Sequence, residues 1–236
     1  MRTRTVSIVA GALSCALLGT GGVGLLHLPA ARPLLRALGL PCPVENVSTA
    51  EVQSLQSRGW AGFARLNPAP IRPAPAGLAF DTTTESDALQ WTKARSISCK
   101  AIRHGYRYLR CRGFSAAALG LAGPPVSEMW LSFGPDDRLI GVDIYTRGMS
   151  AEQVSDVWDH STAALNRLLG APPIAFGNAS PAALRAQAGE TARVQYRYSN
   201  YLVTITASNM PKIGLAVRLQ YLSPGAAVRD NAAAAT

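Results

Sequence analysis

From Val6 to Leu28 the chain carries no Asp, Glu, Lys or Arg. At about 1.5 Å per residue, a helix of that length reaches across a hydrocarbon core of roughly 30 Å. Behind Met-Arg-Thr-Arg, such a run reads as a membrane anchor or export signal. Residues 1–36 are therefore expected to be targeting sequence, with 6–28 as the apolar part, and the rest of the chain to lie outside the cytoplasm. Inside the run, Gly19-Thr-Gly21-Gly-Val-Gly24 spells the G-x-G-x-x-G of a dinucleotide-binding turn. That fingerprint needs a strand before it and a helix after it, whereas here Pro29 and Pro33 interrupt the helix and no second βαβ unit follows. No nucleotide or other cofactor is expected.

Three fates fit this segment. Retained, it is a single-pass anchor in a bacterial inner membrane with the main domain in the periplasm. Cleaved behind Ser14-Cys15-Ala16, it leaves a secreted protein. The stretch Gly11-Ala-Leu-Ser-Cys15 also resembles a lipobox, which implies a lipid anchor at Cys15. In the first and third fates the membrane is itself a partner, reached through the N-terminal segment.

Cysteine placement bears on the same question. Cys99 and Cys111 flank a strand-like segment with a turn near His104-Gly105, and folding it there sets the two cysteines opposite each other. A cross-strand disulfide is expected, in keeping with an oxidising compartment. Cys42 is left over. The C-x11-C spacing matches no zinc pattern, and no metal site is expected.

Ser48-Thr-Ala-Glu51 reads as a capping box that opens a short helix, and the proline-rich stretch after Asn67 as a tether or a wrapped arm, together filling residues 37–77. Residues 78–223 form the extracytoplasmic domain and 224–236 a disordered tail. Within the domain, Thr84-Glu-Ser-Asp87 caps a helix ahead of the cysteine hairpin. Met129, Leu131 and Phe133 alternate into a turn at 135–138 and back through Ile140, Val142 and Ile144, with Gly134 expected opposite Leu139. Ser150-x-x-Gln153 opens a long helix that carries Val154, Val157, Trp158, Leu165 and Leu168 on one side and ends at Gly170. Val194, Tyr196 and Tyr198 should face Tyr201, Val203 and Ile205 across Ser199-Asn200, and a last strand holds Leu215 to Tyr221. The fold class is α+β, an antiparallel sheet of about seven strands with helices packed on one face. Its order hints at two helix-plus-hairpins halves without a repeat in the residues. The Phe133–Val142 hairpin resembles hairpins of small outer-membrane-assembly lipoproteins, a likeness from which no function is carried over.

Catalytic chemistry is not evident. Asp156, Asp159 and His160 share a helix face, but it lies opposite the apolar stripe and reads as solvated. Asp136 and Asp137 sit in a turn that wants aspartate for local hydrogen bonds. No G-x-S-x-G occurs, Ser115 has no evident histidine partner, and His104, the one well-placed titratable candidate, reads as an exposed turn residue at a hairpin tip.

The formal charge is +9, of which Arg2, Arg4, Arg32 and Arg36 supply four with no acid between them. The rest of the chain is only modestly basic, and its cations concentrate at residues 93–112. There Lys100, Arg103, Arg107 and Arg110 are candidate residues for binding an anionic partner, with Lys100 and Arg110 expected to point one way and Arg107 the other. Outside the cytoplasm that partner is a lipid, lipopolysaccharide, cell-wall polymer or acidic protein rather than nucleic acid. The expected function is a membrane-tethered, cell-envelope binding or scaffold protein, and the alternative is a small envelope hydrolase with an unidentified site.

Overall fold

Two of the three capping boxes form as read, those at Thr84 and Ser150, while Ser48 of the first lies outside the described residues. The computed structural model describes residues 49–103, 107–186, 188–226, 228 and 229, so the apolar run, Cys15, Cys42 and His104 fall outside the described residues. Helix α1 spans Thr49–Ala61 and α2 Glu85–Ala94. At α2 the Thr84 hydroxyl accepts from the Asp87 N–H, while the Asp87 carboxylate accepts from the Thr84 N–H at 3.0 Å. Ser150 and Gln153 exchange the same two bonds at the start of α3, Ala151–Leu169. Each box satisfies amides that the first helical turn leaves open. Val154, Val157 and Leu165 are buried as expected, but Leu169 rather than Leu168 makes the last core contact, leaving Leu168 47% exposed. No helix among the described residues is long and apolar enough to cross a membrane.

The sheet has eight antiparallel strands, one more than the sequence predicts. They are β1 Cys99–Arg103, β2 Arg107–Phe114, β3 Val126–Phe133, β4 Leu139–Arg147, β5 Ile174–Gly177, β6 Gly189–Tyr198, β7 Tyr201–Met210 and β8 Gly214–Leu222. The added strand is β5, which pairs along β6 at the sheet edge and is followed by helix α4, Pro181–Ala186. Gly177 ends it with φ +77°, where a Cβ would come within 2.0 Å of the Thr191 carbonyl oxygen. Only glycine fits that crossing.

With β5 present the strand order is β1-β2-β3-β4-β8-β7-β6-β5. Helix α2 then precedes four strands, α3 precedes four more, and β4 pairs with β8 where the halves join. The order reads the same from either edge, which makes the two-half organisation explicit. Corresponding turns behave alike, for Asp137 before β4 and Lys212 before β8 both take left-handed φ, 64° and 68°.

Register follows the apolar alternation apart from two bulges, one at Ser132/Phe133 and one at Glu190/Ala192. Val194, Tyr196 and Tyr198 lie opposite Ile205, Val203 and Tyr201. Leu131 faces Val142 and Met129 faces Ile144, which is the predicted pairing, but a bulge between Ser132 and Phe133 sets Phe133 against Leu139. Leu139 thereby enters the core at 0% exposure and Ile140 is left half-buried. The turn closes through the Gly134 N–H on the Arg138 carbonyl, which consumes the residue the simple register would have paired.

The proline-rich segment packs on the sheet as a wrapped arm, one of the two forms expected for it. Prolines lack the amide donor but keep the carbonyl, so the arm is held as an acceptor. The Ser199 N–H donates to the Asn67 carbonyl, the Tyr201 hydroxyl donates to the Pro73 carbonyl, and the Ala69 N–H reaches the Asn200 side chain at 2.8 Å. After Pro224, the Arg229 N–H closes a helical turn on the Gly225 carbonyl at 3.1 Å and Val228 is buried. The arm and this turn meet at Asp81, whose carboxylate accepts from Arg72, from Ser223 at 2.9 Å and from Arg229 at 2.8 Å.

Burial raises the Asp81 pKa, but the Arg229 and Arg72 donors outweigh it and hold the carboxyl below the ordinary aspartate range. A depressed native pKa contributes stability above the unfolded value and loses it as pH falls through the native one. Stability is therefore expected to fall below about pH 4, with a slope approaching ~1.4 kcal/mol per pH unit for each such carboxylate. Denaturant titrations of wild type and Asp81→Asn should show a shallower acid slope in the variant. Identical slopes would remove Asp81 from the account.

Candidate binding face

Alternation gives the sheet two unlike faces. One bears Leu109, Leu131, Val142, Tyr221, Val203 and Tyr196, neighbours in one row across six strands. Helices cover this side. The Tyr196 hydroxyl donates to Asn166 of α3 at 2.8 Å, the Asn209 amide donates to Leu184 of α4 at 3.0 Å, and Glu85 of α2 meets Arg103 at 2.9 Å.

The opposite face is a polar mosaic. Across it run Lys100, Arg110, Trp130, Asp143, Gln220, Thr204 and Gln195, and beside them Arg112, Glu128, Tyr145, Arg218, Thr206 and Arg193. Arg147 extends this face on β4 and Arg197 on β6. Among the described residues cations outnumber carboxylates here, since only Glu128, Asp143 and Glu190 oppose them. Arg197 lies 5.7 Å over the Phe63 ring, so the segment following α1 reaches the rim of this face.

Most of these charges are held in place. Glu128 is buried and salt-bridged to both Arg110 and Arg147. Burial raises its pKa, but the Arg110 hydrogen bond prevails and keeps it ionised below the usual glutamate range. Asp143 accepts from Arg218 and Gln220, and Arg193 pairs with Glu190 at 2.5 Å.

The four cations chosen from sequence divide between the faces. Lys100 and Arg110 are cross-strand partners on the polar face. Arg103 and Arg107, also partners of each other, lie on the helix side and clamp the buried Glu85 at 2.9 and 3.6 Å, Arg107 adding Asp137 at 3.0 Å. Of the quartet only Lys100 has no ion-pair partner among the described residues; Arg112, on the same face, also has none. Arg147, Arg218, Trp130 and Tyr145 were not singled out from the sequence, although their signal was present as the polar half of the alternation in β3, β4 and β8.

Cys99 and Cys111 face each other in the β1–β2 register and are joined by a disulfide, in keeping with an extracytoplasmic protein. Asp156, Asp159 and His160 are exposed, and the His160 Nδ1 lies 2.8 Å from the Asp156 carbonyl oxygen. Among the described residues no group of His, Cys, Asp or Glu is placed to hold a metal ion. No known protein family, curated protein or solved structure matches the chain.

Proposed function

We propose that this chain is a membrane-tethered binding or scaffold protein of the bacterial cell envelope, and that its site is the polar face of the sheet. The observation that carries the reading is the one-sided cover. Helices bury the apolar face, while the other presents an excess of guanidinium groups across the whole sheet. The partner is anionic, and Lys100 and Arg112, which have no ion-pair partner among the described residues, form the outer, least neutralised part of the site beside Arg110. Arg103 and Arg107 support it from behind by fixing the hairpin to Glu85.

Retention on an immobilised polyanion tests this. The full chain, held in phosphatidylcholine nanodiscs, should bind dextran sulfate at 0.1 M salt and elute as the Debye length shrinks from about 10 Å to about 3 Å at 1 M. Lys100→Glu with Arg112→Glu disrupts no ion pair among the described residues, and should weaken retention on the order of tenfold if each unit of exposed charge is worth a few tenths of a kcal/mol. Retention unchanged by salt and by the double reversal would overturn the reading.

A further inference from the structure

The polar face also carries aromatic rings, and their arrangement bears on the class of partner. The Arg110 guanidinium stacks on Trp130 at 4.8 Å, and Tyr108 meets the same indole edge-on at 5.7 Å. Tyr145 lies between Arg147 at 4.9 Å and Arg218 at 5.2 Å. Carboxylates lock these stacks, Glu128 bridging Arg110 to Arg147 and Asp143 holding Arg218. Side chains already ordered in this way give up little rotamer freedom on binding.

On the reading that this face binds an anionic partner, we propose that the occupant is the net-acidic surface of a folded extracytoplasmic protein. It docks across β3, β4 and β8 against Trp130, Tyr145, Arg147 and Arg218.

Composition supports a protein partner. Apart from Lys100 the cations of this face are arginines, and they are interleaved with Trp and Tyr. Arg, Trp and Tyr are the residues that carry most of the energy at protein interfaces, where Lys is depleted. Arginine is also the side chain whose planar fork matches a carboxylate. Mosaic charge points the same way. Glu128, Asp143 and Glu190 neutralise part of this charge through ion pairs, leaving an uneven field that a protein surface of mixed sign can match more closely than a uniformly anionic lipid or polymer. Size is sufficient too. Eight strands at about 4.8 Å spacing span roughly 34 Å, and central strands of nine residues run about 30 Å, enough for the ~800 Å² that each partner buries in a standard interface.

The test uses the full chain in its own membrane. A benzophenone side chain replaces Thr206, half-buried at the middle of the polar face, and in a second variant Asp159, on the exposed side of α3. Irradiation should give a protease-sensitive adduct from position 206 and none from 159. The captured protein is then identified, purified and titrated against full-length chain in phosphatidylcholine nanodiscs. Arg147→Ala should weaken that binding by at least about tenfold, as expected of a residue at the centre of an interface. Thr206→Trp, which adds bulk and removes no ion pair, should do the same and guards against a folding defect in the first variant. Unchanged affinity in both variants overturns the proposal. Adducts that resist protease but are released by phospholipase or muramidase also overturn it, while leaving an anionic ligand on this face. Absence of any adduct, together with no retention on dextran sulfate, overturns the binding face itself.

Discussion

Replacing Tyr201 with Ala is expected to lower the free energy of unfolding by about 3–5 kcal/mol, the range for removing a large aromatic from a packed core. Tyr201 is fully buried, its ring is 5.7 Å from that of Phe80, and its hydroxyl donates to the Pro73 carbonyl of the arm. Two losses therefore combine, a cavity at the start of β7 and the release of residues 67–77. Tyr201→Phe separates them, because the ring stays and only the hydrogen bond goes. That variant should lose about 1 kcal/mol yet expose the arm to protease. Denaturant midpoints of the full chain in detergent, with limited proteolysis beside them, provide the comparison. A Tyr201→Ala protein within 1 kcal/mol of wild type would mean that the arm and the sheet are not coupled through this side chain.

Opening the Cys99–Cys111 bridge should cost up to about 3 kcal/mol, the chain entropy released when a loop this short is no longer closed. The two cysteines are separated by 12 positions in sequence. Strand β1 has β2 as its single neighbour, so it should lose hydrogen-exchange protection before the rest of the sheet. Cys111 is fully buried, so Cys99→Ser gives the cleaner variant. In protein taken from the envelope, Cys99 and Cys111 should resist alkylation until reduced. Free thiols at both positions in that material would contradict export to an oxidising compartment.

Where the sequence was legible, the reason was repetition. Strands β6, β7 and β8 each carry three or more apolar residues at period two, and their pairing could be read without ambiguity. Ile174-Ala-Phe-Gly has no such pattern, because three of its four residues are exposed and its place is set by β6 alone. The bulge at Ser132 was hidden for a different reason. It depends on how Gly134 and Arg138 close a turn, and apolar spacing carries no information about that.

Site residues were legible only in part. Lys100, Arg103, Arg107 and Arg110 are close in sequence, and strand parity already divides them, but the acids that occupy them come from elsewhere. Glu85 belongs to a helix, Glu128 to the next strand and Asp137 to a turn. Arg147 and Arg218 are far apart in the chain and become neighbours of one tyrosine only because β4 and β8 pair where the halves join. Long-range pairing of that kind leaves no local trace.

The convergence of Arg72 and Arg229 on Asp81 also has a mechanical meaning. The arm and the last described helical turn are fastened to the same carboxylate, so Arg72 and Arg229 are held at one point. Tension applied at residue 49 would load the arm's contacts with the β6–β7 turn and with Tyr201, through Asn67, Ala69 and Pro73, before it reached Arg72 and Asp81.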